Sequence, residues 1–264
     1  MPVADLHVHT TRSDGQLSPT AVPAVAADAG LDAVALTDHD RVHADLDGPL
    51  VEQAGVTVIS GIELRVETDT GARVDLLGYG VTPTDALRRE CERLAADRRQ
   101  RAAAMIDCVE DHLGITLDIE PFDGIGRPHL ARAIATHPGC QHDETDAFET
   151  LIGRGDPCYR PRAVPSFERG RRLLTDACAV VGLAHPFRYD DPEMALALVN
   201  RLDAVERHYP YGRSVDTARI DRLLSTTELL PTGGSDAHDD RLGHAGMDAS
   251  EYRAIRAAIE RHAT

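Results

Sequence analysis

At 264 residues the chain is long enough for one barrel-sized domain or two smaller ones. Its hydrophobic content of 42% supports a substantial core, built mainly from Ala, Val, Leu and Ile because aromatics are only 4% and Trp is absent. No apolar run approaches the ~20 residues of a membrane span, and the net charge of -16 argues against a large nucleic-acid-binding face.

The predicted elements begin with a strand over Val3 to His7. Ser18-Pro19 starts a helix, with Ser as cap and Pro in the first turn. It runs from Ala21 to Ala29 and is stopped by Gly30. A strand over Leu31 to Leu36, a helix over Asp45 to Gln53 and strands over Val56 to Ile62 and Arg73 to Gly80 follow. The pattern changes at Pro83. A long Arg- and Ala-rich helical stretch covers Thr84 to Leu113, with further helical signals at His129 to Ala135 and Glu144 to Ile152. Residues 85–164 are therefore expected to be a helical insertion that covers the active site.

Alternation resumes with a helix capped by Ser166 and ending at Ala177, then a strand over Ala179 to Ala184. A helix over Pro192 to Arg201, a short strand over Ala204 to Glu206 and a helix over Ser214 to Ser225 come next. A strand over Glu228 to Thr232 and a closing helix over Ser250 to His262 complete the chain. Seven strand–helix units imply parallel strands covered by helices, with residues 1–84 and 165–264 forming an α/β barrel.

Chemistry concentrates at the ends of these strands. Asp5-Leu6-His7-Val8-His9 places two imidazoles on alternate positions, so that His7 and His9 face one spot. Asp14, His39, Glu63, Asp75, His185, Asp236 and His238 recur in or just after later strands. In a parallel α/β barrel that rim is where active sites lie. The set looks like a polynuclear metal site, and such sites commonly hydrolyse their substrates. Each piece alone has an ordinary reading, as a satisfied strand histidine, a helix cap or a turn. His43, His112, His137, His142, His208 and His262 are read as surface or packing residues. His244 follows the final pair closely, without an assigned role.

Composition adds three expectations. All 28 basic residues are Arg and none is Lys, which with the acidic excess suggests a halophilic protein; GC-rich coding is the alternative. Cys91, Cys108, Cys140, Cys158 and Cys178 form no Cys-x-x-Cys pair and are read as reduced thiols of a cytoplasmic protein. A strand begins almost at the first residue, so no signal peptide is expected.

The order His7-x-His9, Asp14, Thr37-Asp38-His39, Gly61-Ile62-Glu63, Ala184-His185-Pro186 and Gly234-Ser235-Asp236-x-His238 resembles the PHP (polymerase and histidinol phosphatase) superfamily. The likeness covers nearly the whole chain. It is strongest to the stand-alone phosphoesterase branch, and includes Arg127-Pro128-His129-Leu130-Ala131-Arg132 and Ala184 to Tyr189. The resemblance implies a distorted (β/α)7 TIM-like barrel with a helical insertion. It also implies two or three divalent ions, with Mn most expected and Mg, Zn or Fe as alternatives.

In the division it implies, a first metal takes His7, His9, Glu63 and Asp236. A second shares Glu63 and adds Asp75 and His185. A third takes Asp14, His39 and His238. Asp38 and Asp40 would orient histidines or cap a helix. Relatives usually carry His where Asp75 stands, and some at Asp14. Oxygen in place of nitrogen favours Mn or Mg over Zn.

The implied reaction is attack of metal-activated hydroxide on a phosphomonoester or phosphodiester. The substrate would be small, a nucleotide or short oligonucleotide. Arg127 and His129 are the catalytic candidates, and with Arg188 and Arg154 they are the expected substrate contacts. Relatives often have Lys where Asp156 stands, which removes one positive charge from that loop here. Histidinol phosphatase and a metal-dependent amidohydrolase or deaminase on a similar barrel are the alternatives. Carbamylated-Lys variants of the latter are excluded by the lack of Lys.

Overall fold

The structure is a computed structural model that describes residues 2–262. The chain divides into two compact units, one of Met1–Cys91 with Val164–Thr264 and one of Glu92–Ala163.

The larger unit is built on one eight-stranded sheet. Its strands are β1 (Ala4–Val8), β2 (Ala33–Leu36), β3 (Leu50–Gln53), β4 (Val56–Glu67), β5 (Arg73–Tyr79), β6 (Val180–Leu183), β7 (Ala204–His208) and β8 (Leu230–Gly233). Their spatial order is β1-β2-β4-β5-β6-β7-β8, with β3 attached to β4. β1, β2 and β4 run parallel, as do β6, β7 and β8. Between these halves β5 is antiparallel to both its neighbours. The sheet curls until the end of β1 meets the segment after β8, where the His9 N–H donates to the Ala237 carbonyl at 3.0 Å.

This is a mixed α/β fold on a half-barrel sheet, without the seven parallel strand–helix repeats predicted. Two hairpins make the difference. Ala54 and Gly55, at φ 52° and 79°, form a two-residue turn whose left-handed backbone matches the twist of paired strands. It pairs Leu50–Gln53 with Val56–Ile59, so the helix expected over Asp45 to Gln53 is replaced by turns and β3. A second turn, closed by the Thr68 N–H on the Ala72 carbonyl at 2.8 Å, folds β5 back on β4. The paired ladder also extends β4 five residues past its predicted end at Ile62.

Around the sheet lie α1 (Val22–Asp28), the start of α2 (Asp85–Leu113), α5 (Phe167–Thr175), α6 (Pro192–Ala197), α7 (Ala218–Thr226) and α8 (Ala249–His262). The Ser166 hydroxyl caps α5 by accepting from the Arg169 N–H at 3.3 Å. One core cluster joins Leu6, Ile59, Leu77 and Tyr79 to Ile255 and Ile259 of α8, all fully buried.

The smaller unit contains the rest of α2 with α3 (Arg127–Thr136) and α4 (Glu144–Thr150). Met105, Val109, Leu130, Ile134, Ala147 and Ile152 form its core. Cys108 and Cys158 are joined by a disulfide with their Cα atoms 5.4 Å apart. That corrects the reading of five reduced thiols: helix packing brings together two residues that 50 positions of sequence keep apart. Cys91, Cys140 and Cys178 carry free thiols. Among the described residues no helix is long and apolar enough to cross a membrane.

Candidate metal centre

Strand alternation sets the first two histidines. Leu6 and Val8 enter apolar clusters while His7 and His9, both fully buried, turn to the other face with ring centroids 5.2 Å apart. The Asp5 carboxylate ties β1 to the segment after β8. It accepts from Ser235 N–H at 2.9 Å, Ser235 Oγ at 2.5 Å and Gly243 N–H at 2.9 Å.

The other strand ends bring the remaining side chains to the same spot. Glu63 lies among four imidazoles: His39 Nδ1 at 2.7 Å, His185 Nε2 at 3.0 Å, His9 Nε2 at 3.4 Å and His7 Nε2 at 3.6 Å. Asp236 Oδ1 stands 3.1 Å from His9 Nε2 and 3.4 Å from His7 Nε2. Asp14 reaches His238 Nε2 at 3.4 Å and His39 Nε2 at 3.8 Å. Three sets of atoms that could hold a metal ion result: His7 with Glu63 and His185; His7 with His9 and Asp236; His9 with Asp14, His39 and His238. His185 and Asp236 adopt φ 26° and 51°, left-handed values strained for residues with a side chain.

Charge in the cluster is strongly polarised. Burial would raise the Glu63 carboxyl, but the charges of His39 and His7 hold it well below the usual carboxylate range. Burial likewise opposes ionisation of Asp236, and the neighbouring His7 charge overrides it. His9, buried and flanked by His39, is pushed down and stays neutral. Neutral imidazole beside ionised carboxylate is the state in which both bind a cation.

Asp38 is placed beside the cluster, accepting from Thr10 N–H at 2.8 Å, Thr10 Oγ1 at 2.6 Å and the Ser13 hydroxyl. His43 Nε2 approaches it at 2.8 Å. Ser13 links it to His9, with its Oγ 3.5 Å from His9 Nδ1. His43, read as a surface or packing residue, is thus buried against a charged partner. Glu206 was passed over in the sequence although it ends a predicted strand, the same signal that flagged the others. Fully buried, it contacts both His7 Nδ1, at 2.9 Å, and the His185 N–H, at 2.6 Å.

Asp75 stands apart from the three sets. Both its oxygens accept from Arg65, at 2.7 and 2.6 Å, and Oδ2 lies 3.8 Å from His185 Nε2. Arg188 does reach the cluster: Nη1 donates to Asp236 Oδ2 at 2.8 Å, an oxygen that also accepts from Tyr209 OH at 2.8 Å. Arg127, His129 and Arg154 belong to the smaller unit. There the Arg127 guanidinium lies 5.5 Å from the Phe148 ring centroid and 5.9 Å from that of Tyr159. His129 Nδ1 accepts from the Gly126 N–H at 3.1 Å, and Arg154 is exposed.

The PHP domain family matches residues 5–133, the segment that supplies five of the cluster's eight side chains. A phosphoribosyl 1,2-cyclic phosphate 1,2-diphosphodiesterase from Eggerthella lenta is 30% identical over 259 residues, which cover 93% of this chain and 98% of that one. The chain belongs to the PHP family. A second relative, a 3',5'-nucleoside bisphosphate phosphatase from Chromobacterium violaceum, is 31% identical over 267 residues, 95% of this chain and 87% of its own. A solved structure described as a metal-dependent phosphoesterase from Bifidobacterium adolescentis shares the fold, with a TM-score of 0.82, 24% identity and coverage of 97% and 96%. The resemblance read from the strand-end motifs holds, and this PHP protein is a metal-dependent phosphoesterase.

Proposed function

We propose that the centre hydrolyses a phosphate ester of a small nucleotide or short oligonucleotide, using two or three divalent ions. The observation that carries this reading is the convergence of His7, His9, Asp14, His39, Glu63, His185, Asp236 and His238 into sets whose candidate ligand atoms lie within 4.8 Å of one another. The donors fit a cation. His7 Nε2 and His9 Nε2 are buried, make no hydrogen bond and look onto carboxylate oxygens. No thiolate is present, and Asp14 places oxygen where some relatives carry His, which is the ground for assigning Mn or Mg rather than Zn. Bound there, divalent ions would supply Lewis acidity to a phosphoryl oxygen and lower the pKa of water.

The chain's own residues do the rest. Glu63, central to the imidazoles, is the bridging carboxylate. Arg188 projects over Asp236 and is assigned a phosphoryl oxygen, which its planar fork can hold with two N–H groups. Arg127 and His129 are assigned the same phosphate, Arg127 as a clamp and His129 as a donor to it or to the leaving oxygen, with Arg154 as a further contact. Asp75 is the least direct of the ligands, since each of its oxygens already accepts a hydrogen bond from Arg65. A halophilic, cytoplasmic setting and manganese as native metal complete the reading; the acidic, Lys-free composition supports the halophilic part, and the three carboxylates among the eight donors support a divalent ion such as manganese.

The full chain with Mn²⁺ should release phosphate from nucleoside 3',5'-bisphosphates or monophosphates. His9→Ala should lower the rate by more than about 100-fold, beyond what loss of an outer partner typically costs. Absence of turnover on every phosphoester tried, with metal shown to be bound, overturns the proposal.

A further inference from the structure

Glu206 lies in the middle of β7 and is fully buried, yet no role in the reaction falls to it. One oxygen lies 2.9 Å from His7 Nδ1 and the other accepts the His185 N–H at 2.6 Å. These partners come from separate strands, β1 at one end of the sheet and the end of β6 within it, and His185 has a backbone that needs holding at φ 26°. A carboxylate only accepts hydrogen bonds, so the His7 nitrogen facing it must carry the hydrogen. In the neutral ring, the form that binds a metal, Nε2 is then a bare lone pair. It points at Glu63 Oε1 and Asp236 Oδ1, 3.6 and 3.4 Å away. In that form three acceptors face one another, an arrangement favourable only around a cation, a metal ion when bound and a proton on Nε2 when not.

We propose that Glu206 is a positioning residue that locks His7 in the Nδ1–H tautomer and so leaves Nε2 free to take a metal. The inference rests on the reading of the cluster as a metal centre, but not on any choice of substrate. It also explains why a charged group is buried here rather than an amide of the same shape. In Glu206→Gln the amide oxygen would keep the His185 N–H, since an amide NH₂ cannot accept it. The amide NH₂ would then face His7 Nδ1 and donate to it. The hydrogen must move to Nε2, where it blocks the lone pair.

The test uses the full chain, stripped of metal and titrated with Mn²⁺, with free Mn²⁺ followed by electron paramagnetic resonance. E206Q should fold as the parent does and bind Mn²⁺ about 10- to 100-fold more weakly. The ¹⁵N shifts of His7 in the metal-free protein, followed with rising pH until the ring is neutral, should report Nδ1–H in the parent and Nε2–H in E206Q. Parent-like affinity in a folded E206Q, or an unchanged tautomer, overturns the proposal. Should E206Q fail to fold, the parent alone decides: Nε2–H at His7 in the metal-free protein refutes the assignment, and Nδ1–H supports it. Because neither readout involves phosphoester turnover, a wrong substrate would leave this result intact.

Discussion

Around His7 and His9 the backbone passes so close that only glycine fits. A Cβ on Gly234 would lie 2.3 Å from the His7 nitrogen, and one on Gly15 would lie 2.2 Å from the His9 carbonyl oxygen. Gly234→Ala should cost about 1–3 kcal/mol, measured by denaturant unfolding, because the clash is with backbone and no rotamer relieves it. Ser13→Ala acts differently. It removes the hydroxyl that links Asp38 to His9, so Mn²⁺ affinity should fall by about 10-fold or more while stability changes by only about 1 kcal/mol. The candidate ligands were legible because His and carboxylate at strand ends are conspicuous. Ser13 and Glu206 were not, because their work depends on distances across the sheet that no spacing along the chain encodes.

At the scale of elements, hairpins and a cross-link decide what propensity left open. The stretch Leu50-Val51-Glu52-Gln53 is compatible with helix or strand, and only the Ala54-Gly55 turn, by pairing it with β4, settles the matter. In the smaller unit the disulfide closes a loop of 50 residues. Reduction, or Cys158→Ser, should destabilise that unit by about 4 kcal/mol on the loop-entropy scale, seen as a lower melting transition. Burial pushes the Cys91 thiol up to about 12 and raises that of Cys178 as well. Native, non-reducing alkylation should therefore modify Cys140 first, with Cys91 and Cys178 reacting only on unfolding; peptide mapping will show the order. Long helices such as α2 and the alternation of β1 were readable from pattern because each follows one period throughout.

For the molecule as a whole, a net charge of -16 is a source of self-repulsion that salt relieves. Raising ionic strength from about 0.15 M to about 1 M shortens the screening length from about 8 Å to about 3 Å. The melting temperature should rise across that range if the composition is a halophilic adaptation; a flat response would favour the coding explanation. Divalent metal should stabilise the fold by mass action as well. At about 100 times its dissociation constant it adds about 2.7 kcal/mol, which a chelator should remove and fresh Mn²⁺ restore in a thermal melt.

Sequence alone marked most of the His and carboxylate side chains that lie together in the structure and placed strands in the outer thirds of the chain with helices between them. Those features are local, set by residue type and by the two-residue period that sends His7 and His9 to one side. Tertiary structure decided the rest. The β4–β5 and β5–β6 pairings run antiparallel, Arg65 claims Asp75, Cys108 meets Cys158, and Glu206 finds His7 across the sheet. Each of these is a contact between distant segments, chosen by how the sheet curls and how side chains fill the space it encloses.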